Sequence, residues 1–486
     1  MFGTLVIKEI QETIHNFRFH FSVLLCLVLI PLGMYAALKN YEQRLTEYRE
    51  SMRLYEQKSQ GKITYNFRAE GYRPPLQRSV FAIGLEDYLP NKVLTERGGN
   101  FAISNEKGIN NPQALLFGRL DFLFSAGFVL SILALIFTFS SISGEKEKGT
   151  LRLIVANSAA RSQVYLAKVL GNFLVFLIPL IIAMLIGVLL LNASSVLNPF
   201  SGEFFQAFIV IFLVTLLFIF AMLNLGMLVS TLTHSSITSM AAVVFVWVIL
   251  VLAVPRISPM IAEVVYPVKS EQVVNIEKQL IRENLEKELD LQRRELFEKL
   301  MAAYDLDPGF TTTRPEGAMK KAYAQYDEEK IPLEEKYRQR LNTALINIER
   351  EFANNLQTQS RIAVNLSRIS PASCYSYVIS EISGNGPRET GNFYENAREF
   401  QNEVREALYD KYIVKTYGGR WGTSSSTQTA EGFELGKLKV FHMSNYKHIS
   451  LGAALRSEWI DILLLVFFNI LFFAAGFVAF NRYDVR

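Results

Sequence analysis

Cysteine is scarce in this chain, with two residues in 486. Cys26 falls inside an apolar run and Cys374 in a distant polar stretch, so no disulfide between them is expected and the redox compartment stays open. Histidine is almost as rare. His15, His20, His234, His442 and His448 show no metal-ligand spacing, and no metal site is expected of them. No glycine-rich turn ends in the Lys-Ser/Thr pair that grips nucleotide phosphates, and no nucleophile–His–carboxylate motif can be read. No catalytic residue is therefore assigned. Nor does charge of one sign accumulate. Fifty Lys and Arg against 46 Asp and Glu leave a net +4, spread without the basic block that nucleic acid requires.

Six stretches lack charge of nearly any kind. The chain is 50% hydrophobic with a mean hydropathy of +0.18, but these figures average two unlike materials. Phe19–Leu38, Phe122–Ile142, Val169–Leu191, Phe204–Leu232, Ile237–Val254 and Trp459–Phe480 are apolar over about the 20 residues a helix needs to cross a bilayer. The first lacks a small-residue cleavage site after it and reads as retained. The fourth is long for one crossing, which implies tilt or an extension. Six spans place both termini on one side. Lys146, Lys148, Arg152, Arg161 and Lys168 crowd the loop after the second run, whereas Asn192–Glu203 holds no Lys or Arg. Positive charge favours the cytoplasm, so both termini are expected there.

The expected fold class is an all-α polytopic membrane protein with two external domains. Residues 1–38 make an amphipathic lead-in helix and the first span. Val6, Ile10, Ile14 and Phe17 share one face, with Lys8, Glu9, Glu12 and Arg18 placed elsewhere on the wheel. Residues 39–118 form a small mixed domain with candidate strands at Ile63–Phe67 and Ser79–Ile83. Residues 119–256 hold spans two to five. Residues 257–457 form a larger, mainly helical domain, and 458–486 the last span. In the larger domain, Leu333, Tyr337, Leu341, Leu345, Ile348, Phe352 and Leu356 recur every three or four residues, as do Ile276, Leu280, Leu285, Leu289, Leu296 and Leu300. With the breaker Asp305–Pro315 between them, these predict a coiled-coil-like antiparallel hairpin. A third helix is expected at Asn392–Val414.

The most informative segment is 143–168. Ser143-Gly144-Glu145-Lys146-Glu147-Lys148-Gly149-Thr150-Leu151-Arg152 reads as a charged turn leading into a short amphipathic helix through Leu151, Ile154, Val155 and Ala159. Glu145 and Lys148 are expected to be exposed at the membrane surface. From spacing alone, a plain connector explains the segment as well as a docking element does.

The segment closely resembles the cytoplasmic coupling region of ABC type-2 exporter permeases. Those carry a Gly-Glu-x-x-x-Gly-Thr core, an Arg-Ser step and a Lys-x-x-Gly entering the next span, matched here by Gly144, Glu145, Gly149, Thr150, Arg161, Ser162, Lys168 and Gly171. The usual proline before the Arg step is absent, with Ala159-Ala160 in its place. Asn111-Pro112, Asp121 and the run Leu366–Pro371 resemble a bacterial subgroup with two external insertions. The resemblance implies a permease subunit in a bacterial cytoplasmic membrane. Its implied partners are a cytoplasmic ATPase that alone binds ATP and Mg²⁺, a second identical or related permease, and membrane lipid. Residues 257–457 could take an external protein. The implied coupling residues are Gly144, Glu145, Lys148, Gly149, Thr150, Arg152, Arg161 and Lys168. The rival readings are a signalling or scaffold protein that binds a partner through its external hairpin, and an ion-coupled carrier. The second is disfavoured, because no ionisable residue lies near the middle of a span. Asn224 and Asn469 are the strongly polar mid-helix residues, read as interhelical contacts or as part of a translocation path.

Overall fold

The computed structural model describes residues 2–59, 69–95, 101–104, 120–156, 160–307, 316–405, 443 and 445–483. Among these, six helices are long and apolar enough to cross a membrane: Phe17–Lys58, Phe122–Glu147, Arg161–Asn192, Gly202–Leu232, Ser236–Val265 and Trp459–Arg482. Each of the six apolar runs lies inside one of them, and the protein is an all-α polytopic membrane protein. The helices overrun the apolar runs because a helix ends where its backbone is capped or broken, not where hydropathy falls.

In chain order, α1 (Phe2–Ile14) precedes α2 (Phe17–Ser59), the first span. A three-stranded antiparallel sheet follows, β1 (Glu70–Tyr72), β2 (Lys92–Thr95) and β3 (Phe101–Ser104), with β2 in the centre. Span two is α3 (Phe122–Phe124), a π-helical turn at Ser125–Leu130 and α4 (Ser131–Thr138), running on to α5 (Ser143–Glu147). Next come α6 (Thr150–Ala156), α7 (Arg161–Asn192), α8 (Gly202–Leu232) and α9 (Ser236–Trp247). A second π-helical turn, Val248–Ala253, leads into α10 (Val254–Val265). The remaining helices are α11 (Glu271–Ala303), α12 (Gly317–Ser367), α13 (Pro371–Ile382), α14 (Arg388–Arg405), α15 (Leu451–Ser457) and α16 (Trp459–Arg482), the last span.

The spans share one apolar core. Ile30 and Met34 of α2, Leu133 of α4, Phe176 and Leu180 of α7, Ile211 and Phe218 of α8, and Leu465 of α16 belong to it. Small residues let the backbones approach where apolar driving force between helices is weak. A side chain at Gly226 would run into Thr138, and one at Gly476 into the Tyr165 hydroxyl.

A twelve-residue helix inside the expected second insertion also belongs to this core. The hydroxyl of Ser370 caps α13 by accepting from the Ala372 and Ser373 N–H groups, and Pro371 occupies the first turn, where its missing N–H costs nothing. Ala372, Cys374, Tyr375, Val378, Ile379 and Ile382 are buried with the spans. Tyr375 stacks on Phe218 at 4.5 Å and its hydroxyl lies 3.1 Å from Thr215 Oγ1. Arg368, just before the cap, grips Asp461 of α16 with two hydrogen bonds of 3.0 and 2.7 Å.

Buried ion pairs knit the first insertion. Glu86 receives Arg44 of α2 at 3.0 Å and Arg73 at 2.8 Å, while Arg73 also faces Glu389 of α14 at 3.9 Å. Asp121 caps span two through the Phe124 N–H and accepts the Ile83 N–H at 2.8 Å, tying insertion to span. The expected strand at Ile63–Phe67 lies outside the described residues. The one expected at Ser79–Ile83 is replaced by a 3-10 turn, Gln77–Val80. Val80, Phe81 and Ala82 are all fully buried in succession, so the period of two that a half-buried strand requires is missing.

Among the described residues the chain divides into two compact units: Ser258–Asn365 with Arg405 on one hand, and on the other everything to Ile257, 366–404 and the stretch from Met443 onward. The first is the expected hairpin of α11 and α12. Phe297 packs on Tyr323 and Tyr326, Arg293 pairs with Glu334 and Lys278 with Glu349, so partners recede along one helix as they advance along the other. The second helix starts earlier than its apolar stripe and runs through Pro332. The third expected helix is α14, described to Arg405, with the remainder of Asn392–Val414 outside the described residues.

Glu381, in the last turn of α13, is 2% exposed, and burial pushes its carboxyl up to about 7, with the carboxylates of Glu458 and Glu389 adding to the shift and Arg388 opposing it. Its charge costs nothing below pH 4.5, where neither folded nor unfolded chain carries it. The cost grows as pH rises and is complete above about 7, at roughly 2–4 kcal/mol. Glu381→Gln is therefore expected to raise the melting temperature more at pH 8 than at pH 5. An equal change at both pH values would contradict this.

Candidate functional site

The site begins at the C-terminal end of span two. Ser230 Oγ of α8 accepts the Ile142 and Ser143 N–H groups, both at 3.0 Å, and so fixes where α5 starts. Four residues later the helix is cut. Gly149 sits at φ +73, in the left-handed region, and a Cβ there would meet nothing within 4 Å. Glycine is thus required by the backbone alone, to turn the chain from α5 into α6. Glu147 Oε2 accepts the Ser236 N–H at 2.9 Å, and Gly144 lies where a Cβ would stand 3.3 Å from Ser236 Oγ, so the turn is held against the start of span five.

Two cations fasten other spans. Lys146 donates to the carbonyls of Thr231 and Thr233 at the end of α8 and lies 4.1 Å over the Tyr483 ring. Arg161 donates to the carbonyls of Asn481 and Tyr483 at 3.1 and 2.9 Å, at the end of α16. Positive charge at a helix C-terminus meets carbonyls that have no partner within the helix. Lys168 is 2% exposed and shared between Glu145 at 2.7 Å and Glu9 of α1 at 2.8 Å. Leu151 is buried with Ile142, Val164, Tyr165, Met227 and Phe480.

What faces outward is compact. Glu147, Lys148, Gly149, Thr150, Arg152 and Leu153 are exposed. Lys146, Glu147, Lys148, Gly149, Leu151, Arg152 and Tyr483 line a shallow cavity of about 340 Å³. Three cations and one carboxylate around a hollow suit an acidic or mixed protein surface better than a small apolar ligand.

Of the eight residues that the sequence points to, Lys148, Gly149, Thr150 and Arg152 are on the exposed turn. Gly144, Glu145, Arg161 and Lys168 face inward and build its support. The expected exposure of Glu145 is corrected: its side chain is 15% exposed, drawn in by Lys168. Glu9, expected on the polar side of α1, is likewise buried. Lys146 was not singled out by the motif, although a lysine next to a span end is the signal that finds it. Val155 and Ala159 of the expected amphipathic stripe lie outside the residues whose side chains are described. Asn224 donates to Asn469 Oδ1 at 3.4 Å, and Asn469 donates to the carbonyls of Leu217 and Leu465 at 2.9 and 2.8 Å, an interhelical contact between spans four and six. The carboxylates of Glu9, Glu12 and Glu145 come close enough to hold a cation, and the Lys168 ammonium already bonds two of them.

Compared with known proteins, residues 4–485 match the family model described as ABC-2 family transporter protein. No curated protein matches the chain.

Proposed function

The chain belongs to the ABC-2 family of transporter proteins, and from that premise we propose that it is the permease subunit of an exporter driven by a separate cytoplasmic ATPase. The observation that carries this reading is the exposed turn at Glu147–Arg152, held on a support that reaches the inner ends of spans two to six. Force applied there is delivered to five helices at once, to span two directly and to the others through Ser236, Thr231 and Thr233, Lys168, and the Tyr483 ring under Lys146. ATP binding and closure in the partner would press on the turn, rock the spans and change which side of the membrane they open to. The turn faces the cytoplasm of a bacterium in this reading, because the adjoining segment carries the Lys and Arg excess. A second permease completes the path. Exposed apolar side chains along span five, among them Ile237, Met240 and Phe245, suit either that second copy or lipid.

Gly149→Val tests the docking role. A β-branched residue in the left-handed region is strained by about 1–3 kcal/mol, and relief redirects α6 while leaving the spans inserted. The variant is expected at parental abundance with much less ATPase co-purified. Undiminished recovery together with full transport would return the chain to the signalling or scaffold reading.

A further inference from the structure

Lys168 carries one positive charge, yet two buried carboxylates meet it. One carboxylate suffices to neutralise the ammonium, and a second adds desolvation cost and net negative charge. The three groups belong to three elements: Glu9 to α1, Glu145 to α5 and Lys168 to the foot of span three. Glu145 lies two residues before the exposed turn. Gly171, three residues after Lys168, lets α1 approach. A Cβ there would stand 2.8 Å from Glu9 Cβ and 3.7 Å from the Val6 carbonyl oxygen. Just past α1, Asn16 Oδ1 accepts the Arg18 N–H, and the guanidinium of Arg18, in the first turn of α2, donates to Ser140 Oγ and lies 4.4 Å over the Phe139 ring. The lead-in helix is therefore held at Glu9 against the foot of span three, which shares Lys168 with the extension of span two, and the start of span one just after it is held against span two.

We propose that Glu9 is a positioning residue for coupling: through Lys168 it fastens α1 to the turn, so that displacement of the turn moves α1 and the foot of span one with it. This rests on the reading of Glu147–Arg152 as the ATPase's docking surface. It accounts for the surplus carboxylate, which stability does not require, and it places the lead-in helix in the path of force rather than merely at the lipid surface.

Glu9→Ala keeps the Cβ that faces Gly171 and leaves Lys168 and Glu145 as a neutral pair, so the variant retains its fold. In the full transporter, abundance and ATPase recovery are expected to match the parent, while transport per ATP hydrolysed falls about fivefold or more. Gly171→Ala pushes α1 away with every charge in place and is expected to act in the same direction. Spin labels at Lys8 and Lys148 give a readout that a purely structural role leaves unmoved. Their separation stays constant between nucleotide states in the parent and changes between them in Glu9→Ala. A Glu9→Ala chain that couples normally, or whose transport falls only in step with its abundance, overturns the proposal alone. A parent chain that recovers no ATPase overturns the docking reading, and the proposal with it.

Discussion

Lys168→Met is expected to remove most of the chain from the membrane fraction and to lower the melting temperature of what remains. The ammonium is 2% exposed, and its loss leaves Glu9 and Glu145 buried against each other without a counter-charge. Removing one partner of a buried ion pair costs about 3–5 kcal/mol, a large share of a marginal stability. The cause can be separated from lost packing. Glu9→Gln and Glu145→Gln added to Lys168→Met remove all three charges and are expected to restore abundance, since replacing a whole buried ion set is close to neutral. Parental abundance and melting in Lys168→Met alone would show that the cluster carries no such energy.

Arg368→Ala is expected to have an effect of similar size at the opposite end of the spans. Asp461 is fully buried near the start of α16, and both of its oxygens accept from the Arg368 guanidinium. A neutral side chain at 368 strands that carboxylate beside Glu458, whose own carboxyl is raised by burial and by Asp461. The cost is again about 3–5 kcal/mol. It should appear as poor extraction and early unfolding in detergent. Asp461→Asn in the same chain is expected to recover most of the loss. A stable single variant, or a double variant no better than the single, would show that the pair does not hold α13 and α16 together.

Both predictions turn on contacts that the sequence does not disclose, for different reasons. Lys168 reads as one more positive charge beside a span, which is the signal for orientation, and its partners are 23 and 159 residues away. Glu9 borders the apolar stripe of α1, three residues from Val6, so a wheel places it with the polar side unless the neighbouring α7 is known. Helix α13 was illegible because twelve residues fall below the length that marks a span, and hydropathy passes over it. The cap pair Ser370-Pro371 was the one local sign of its start. Strand Ser79–Ile83 failed because burial on every side, rather than on one face, removes alternation. Where structure depends on local properties, the sequence is sufficient: six apolar runs become six helices, and the stripes from Ile276 and from Leu333 become a hairpin. The turn at Gly149 is legible for the same reason, since a glycine in a charged run just before a short helical pattern marks a change of direction, although the helix before it, α5, is not read from the sequence.

The central claim is that the turn after span two receives a cytoplasmic ATPase. It is tested most directly by placing a photo-crosslinking amino acid at Lys148, whose side chain is exposed on that turn, and another at Tyr88, 71% exposed in the first insertion. Illumination of intact cells, followed by purification under denaturing conditions, would identify what each position captures. The account predicts a nucleotide-binding subunit covalently joined at position 148 and absent at position 88. No such subunit at 148, or equal capture from 88, would contradict it.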